Sequence, residues 1–159
     1  MGAPILFILF CLIAAWFDLR YRRLPNVLNA AITVVGLAMA GRGGIPELAS
    51  HALHCGLALM AGALLFYLGI VGGGDAKFYA GVAAWFGMGQ AWLLALCIAA
   101  SGGVMAFGWI VFRLWVAGPR LYRKEEMMRR SLPYGVPIAL GGLTVLWLQG
   151  SLLGSLYGV

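Results

Sequence analysis

The stretch Gly72-Gly73-Gly74-Asp75-Ala76-Lys77 stands between two runs of almost pure hydrocarbon, about residues 52–71 before it and 78–88 after it. A carboxylate at such a place needs a physical reason, because an unpaired charge beside a bilayer is costly and by default marks a functional site. The glycines matter too. Without side chains they let the backbone approach other groups closely and adopt dihedrals that most residues avoid.

Working outward, 63% of the 159 residues are hydrophobic and only 10% are charged, against roughly a quarter charged in a soluble domain. The apolar residues come in long runs, so the expected fold is all-α: a polytopic membrane protein of about six transmembrane helices, the fourth short, forming a single domain over residues 1–159. The net charge of +6 does not point to nucleic acid, since the basic residues cluster beside the spans and no aromatic-rich basic face or nucleic-acid motif accompanies them. Cys11, Cys55 and Cys97 are far apart in apolar sequence and lack CxxC spacing, which argues for core positions over disulfides or zinc.

The first span is expected over Ala3 to about Leu19, with Asp18 near its end; it lacks a basic leading segment and reads as a retained span, not a cleaved signal. Arg20, Arg22 and Arg23 mark an interface, and Leu24-Pro25-Asn26 makes a turn whose proline can open the second span, about Val27 to Ala40. Asn29 and Thr33 on that span are expected to face other helices. Turn residues from Gly41 to Pro46 precede a third span, about Ala52 to Val71. The apolar run Phe78 to Met88 is about half of the roughly 20 residues a crossing needs, so it reads as a short span. Gly87 to Gln90 breaks it, and a fifth span follows over Ala91 to about Val116. Gly118 to Leu132 is strongly polar and suits an amphipathic surface helix bound to anionic lipid headgroups. Pro133-Tyr134-Gly135-Val136-Pro137 leads into the last span, ending near Tyr157.

Six crossings put alternate loops on opposite sides. Ten of the 11 lysines and arginines (Arg20, Arg22, Arg23, Lys77, Arg113, Arg120, Arg123, Lys124, Arg129 and Arg130) then fall on one side, and only Arg42 on the other. The excess assigns the first side to the cytoplasm and both termini to the outside. Asp18 and Asp75 fall on the same, cytoplasmic face.

Two carboxylates that close cannot both ionise cheaply, so they share a proton. The ionised one can activate a water while the protonated one polarises a peptide carbonyl, which is acid/base hydrolysis. Each aspartate also has a structural reading: Asp18 as an interfacial acid paired with Arg22 one turn on, and Asp75 as the N-cap of the fourth helix. Lys77 can pair with Asp75, reach lipid phosphate or mark the cytoplasmic edge. The glycine stretch lacks the Lys-Ser/Thr ending of a phosphate loop. His51 and His54, one turn apart beside Cys55, have a ligand-like spacing but lie on the face away from the aspartates, and no metal is expected. A small proton- or ion-coupled transporter subunit is the alternative from another class, although such sites usually lie near the midplane.

Phe17-Asp18-Leu19-Arg20 with Leu24-Pro25-Asn26 resembles the first aspartate region of the type IV prepilin peptidases. Gly72-Gly73-Gly74-Asp75-Ala76-Lys77 resembles their second, the GxGD signature of membrane aspartic proteases, and Pro133-Tyr134-Gly135-Val136-Pro137 is similar to the motif before their last helix. The resemblance implies an aspartic endopeptidase in the cytoplasmic (inner) membrane, without cofactor or metal. Its partner would be a prepilin-like substrate with a basic leader and a hydrophobic helix, cut after a glycine at the cytoplasmic face. Asp18 and Asp75 would be the catalytic pair and Gly72, Gly73, Gly74 and Lys77 the active-site loop, with Arg20, Pro25, Asn26, Pro133, Tyr134, Gly135 and Pro137 in positioning roles. Larger members carry a CxxC-containing cytoplasmic segment and also N-methylate the new terminus. Its absence here resembles the small Flp or tight-adherence type and argues against methyltransferase activity. Archaeal preflagellin peptidases share the same aspartate logic and remain an alternative.

Overall fold

The computed structural model describes residues 2–117 and 133–157, and every regular element among them is helical. Helix α1 spans Gly2–Tyr21, α2 Asn26–Ala40, α3 Ile45–Tyr67, α4 Gly73–Ala83, α5 Ala91–Ala117 and α6 Gly135–Tyr157. Three stretches, Gly2–Tyr21, Ile45–Tyr67 and Met88–Phe112, are long and apolar enough to cross a membrane, and Gly135–Gly150 is a shorter apolar helix. Large apolar side chains such as Leu12, Met60, Val104 and Phe107 are exposed around the outside. Water would penalise that surface heavily, whereas hydrocarbon accepts it. The expected all-α, polytopic membrane architecture is therefore the observed one.

Each helix turns one narrow stripe inward. On α1 the buried residues are Phe7, Cys11, Ala14 and Asp18, spaced at three and four so that they fall on one face. On α2 they are Asn29, Ile32, Gly36 and Ala40, and on α3 His54, Ala58 and Gly62. Helix α4 differs in being buried along most of its length, including Ala76, Phe78, Ala80, Gly81, Val82 and Ala83. It is the centre of the bundle, packed against α2, α3 and α6, while α1 and α5 both lean on α6.

Small residues make this close packing possible, as expected where hydrocarbon surrounds the helices and the hydrophobic effect gives no preference for helix contact. A Cβ on Gly62 would lie 3.0 Å from Ala76 Cβ and 3.1 Å from Ala76 Cα, and one on Gly36 would strike the Trp85 ring. At 11 residues, α4 is about 16 Å long, half of the roughly 30 Å hydrocarbon thickness. The fourth helix is short, as its sequence indicates.

The boundaries of α3 and α4 differ from the expected ones. Helix α3 starts at Ile45, because Gly44 takes φ 100 and Pro46 and Glu47 occupy the first turn, where a missing N–H and an acid are both favourable. It stops at Tyr67, ahead of the end of the apolar run. Gly69 at φ 71 closes it: its N–H donates to the Phe66 carbonyl (2.9 Å) and that of Ile70 to the Leu65 carbonyl (2.9 Å), a Schellman ending. Helix α4 then begins at Gly73, so Asp75 belongs to its first turn. The expected surface helix over Gly118 to Leu132, with the last basic cluster, lies outside the described residues.

Replacing Gly62 by valine should loosen the α3–α4 contact and cost about 1–3 kcal/mol. Thermal unfolding in detergent should show a clear drop for Gly62→Val and almost none for Gly56→Ala, since a Cβ on Gly56 meets nothing within 4 Å.

Candidate active site

The end of α1, the start of α4 and the start of α6 meet at one end of the bundle, and each brings one of the motifs singled out in the sequence. Asp18 closes the inward stripe of α1 and is only 5% exposed. A carboxylate buried that deeply needs donors, and the first turn of α6 supplies one. The Gly135 N–H donates to Asp18 Oδ2 at 2.7 Å, while the Val136 N–H beside it donates to the Pro133 carbonyl at 3.3 Å. The Gly135 N–H is among the groups that a helix N-terminus leaves without intrahelical partners, and its dipole favours an anion.

Pro137, next in line, has no N–H to satisfy. Its carbonyl accepts from Ser101 Oγ on α5 at 2.9 Å, which pins the start of α6 from the other side. Gly135 has to be glycine for close approach, since a Cβ there would stand 2.8 Å from Asp18 Oδ2.

Arg22 ends α1 in the left-handed region at φ 51, with its N–H on the Asp18 carbonyl at 2.9 Å. Its positive charge acts on the Asp18 carboxylate from just past the helix end. Arg20 does not join the pair; its guanidinium lies 5.9 Å over the Tyr21 ring at the exposed end of α1.

Asp75 is the third residue of α4, with Gly72 as the N-cap. The N-cap reading of Asp75 is thus corrected: the cap is Gly72, and the Asp75 carboxylate lies back beside it in the first turn, where an acid is favourable. A Cβ on Gly72 would crowd Asp75 Oδ2 at 2.8 Å. Asp18 and Asp75 interact electrostatically across the gap between α1 and α4. The two acids, 57 positions apart in sequence (75 − 18), lie at the same end of the bundle.

The remaining contacts fix the glycine turn to α2. Lys77 Nζ donates to Asn26 Oδ1 at 2.9 Å, a tie between the second motif and the first that the sequence reading did not include. Pro25 is the N-cap of α2, with φ −60 and ψ 135, and its carbonyl accepts from the Asn29 N–H. Asn29 was legible only as a polar residue facing other helices. Its Nδ2 donates to the Gly74 carbonyl at 3.1 Å, and Leu24 lies against Gly74. Asn29, Leu24 and Ser101 join the site by contacts with backbone groups of Gly74 and Pro137, which sequence does not display. Gly73 sits beside the Phe66 ring, while Pro133 is half-buried and Tyr134 exposed at the rim.

The histidines have another task. His51 Nδ1 bonds the Ala84 carbonyl at 3.0 Å and His54 Nδ1 the Phe86 carbonyl at 2.9 Å. Both acceptors are carbonyls, so each Nδ1 carries the proton, and together they cap the far end of α4. Among the described residues no three His, Cys, Asp or Glu side chains gather as a metal site, and the three cysteines are free.

Gly135→Ala should push Asp18 off its donor and cost about 1–3 kcal/mol. Its melting temperature should fall well below that of Gly103→Ala, whose new methyl group would meet nothing within 4 Å.

The model of the type IV leader peptidase family matches residues 5–119, from α1 through α5. No curated protein and no solved structure matches the chain. The match covers well over half of the sequence and includes both aspartates, so the chain belongs to that family and is a leader-peptidase-like protease in a membrane.

Proposed function

We propose that this member of the type IV leader peptidase family is an aspartic endopeptidase. It cleaves the leader of prepilin-like proteins after a glycine, at the cytoplasmic face of the inner membrane, and Asp18 and Asp75 are its catalytic pair. The observation that carries this reading is the placement of the two carboxylates at one end of the bundle, where α6 caps Asp18 and the turn after α1 packs against the glycine stretch that carries Asp75. The ten-to-one division of basic residues supports the cytoplasmic side. The sequence has no CxxC segment between α1 and α2, so N-methylation is not part of the proposal.

The chemistry follows from how the two acids are held. Asp18 has the Gly135 N–H on its carboxylate and the positive charge of Arg22 acting on it; burial and the charge of Asp18 both push the Asp75 carboxyl up. The negative charge of the pair therefore rests on Asp18 and the shared proton on Asp75. Asp18 takes a proton from water as its oxygen bonds to the scissile carbonyl carbon, while Asp75 gives its proton to the carbonyl oxygen. The tetrahedral species then collapses, the C–N bond breaks, and the amine leaves with the proton held by Asp18. The proton of the former carbonyl oxygen returns to Asp75 as the new carboxyl group forms. The glycine turn leaves backbone beside Asp75 open to an extended peptide, which places a glycine-containing scissile segment where side chains would clash.

A substrate helix in the bilayer would present its leader at this end, next to Lys77 and the arginines after α1. Anionic headgroups, drawn by the same basic residues, hold a basic leader near the surface.

Asp18→Asn and Asp75→Asn should each lower leader cleavage by about a thousandfold while the protein still inserts and folds. Cleavage of a prepilin-like substrate in proteoliposomes, read by gel shift, checks this; either variant cleaving near the native rate removes that aspartate from the mechanism. Proton or ion flux without peptide, lost in the same variants, would move the protein to the transporter class.

A further inference from the structure

We propose that the cleft at the opposite end of the bundle binds one phospholipid with a zwitterionic, primary-ammonium headgroup. The cleft is a consequence of the short α4. That helix ends at Ala83, about 16 Å from its start, and the chain turns aside through Trp85 and Phe86. Beyond it the ends of α1, α2, α3 and α6 are left around a cavity of about 190 Å³.

Phe7, Trp85 and Leu146 wall it, and Glu47, His51 and Gln149 supply its polar groups. An open apolar cleft in a bilayer lies against hydrocarbon, and an acyl chain entering it recovers contacts that its walls otherwise lack.

The charges at the rim choose the headgroup. Glu47 is exposed in the first turn of α3, with its carboxylate over Gly43, where a side chain has no room. Arg42 lies in the turn just before, its guanidinium 3.9 Å from the sulfur of Met39, which lines the cleft. Among the described residues neither charge forms an ion pair. His51 gives its Nδ1–H to the Ala84 carbonyl, which leaves Nε2 as an acceptor.

An acid, a neutral acceptor and a separate guanidinium match an ammonium and a phosphate on one molecule. A primary ammonium offers three N–H donors to Glu47 and His51, and the phosphate meets Arg42. A choline headgroup lacks those donors. A glycerol headgroup can still give its phosphate to Arg42 but brings no cation to Glu47. The site is independent of the peptidase reading, because it shares no residue with the aspartate end.

Native mass spectrometry of the purified full-length protein should decide it, with phosphatidylethanolamine, phosphatidylcholine and phosphatidylglycerol of identical chains added in turn. The ethanolamine lipid should be retained about tenfold better than the glycerol lipid, as expected for one charge-assisted contact. Glu47→Gln should erase that difference and Glu47→Asp keep it. Arg42→Gln should weaken both zwitterionic lipids, and Ala3→Phe, which narrows the cleft, should weaken all three. Equal retention of the three lipids overturns the proposal, as does an ethanolamine preference that survives Glu47→Gln.

Discussion

The architecture turns on a buried carboxylate held by a helix N-terminus. Asp18 is nearly sealed from solvent, and its position is tenable because α6 begins beside it, with the Gly135 N–H 2.7 Å from Oδ2. Leaving such a group without donors would cost several kcal/mol, on the order of what holds a small domain together. That single requirement dictates where α6 starts and why its first residue has no side chain. It also explains why Ser101 on α5 anchors the next carbonyl but one, that of Pro137. The helix carrying Asp18 and the one capping it pack together along their length, so the site and the fold are stabilised by the same contacts.

The second constraint is the short central helix. An 11-residue α4 cannot cross a bilayer, and its ends must be satisfied inside the protein. At one end the Asp75 carboxylate lies back beside Gly72 and Asn29 holds the Gly74 carbonyl. At the other, His51 and His54 on α3 cap the carbonyls of Ala84 and Phe86. One device thus places an acid at one end of the bundle and opens a cleft at the other.

Much of this was legible in the sequence because it rests on side-chain type and spacing. The stripe of Phe7, Cys11, Ala14 and Asp18 recurs at helical intervals, and its last member is a carboxylate, so the inward direction of Asp18 can be read directly. The glycine triplet announced a close approach. What stayed hidden depends on main-chain atoms: the donor at Gly135, the Gly74 carbonyl and the free carbonyls at the end of α4. The histidine pair looked like ligands because i, i+3 spacing also suits two side chains reaching the carbonyls of Ala84 and Phe86 just past a neighbouring helix end. Gly69 was a readable helix stop, masked because the residues flanking it are apolar and continue the hydrophobic run.

The central claim is that Asp18 and Asp75 act as one titrating unit, one ionised and one protonated. The pH dependence of kcat/KM for leader cleavage tests this most directly. The account predicts a bell: activity falls at low pH as the base of the pair takes up a proton, and falls at high pH as the shared proton is lost. A rate that rises with pH to a plateau, with no descending limb short of unfolding, would contradict it.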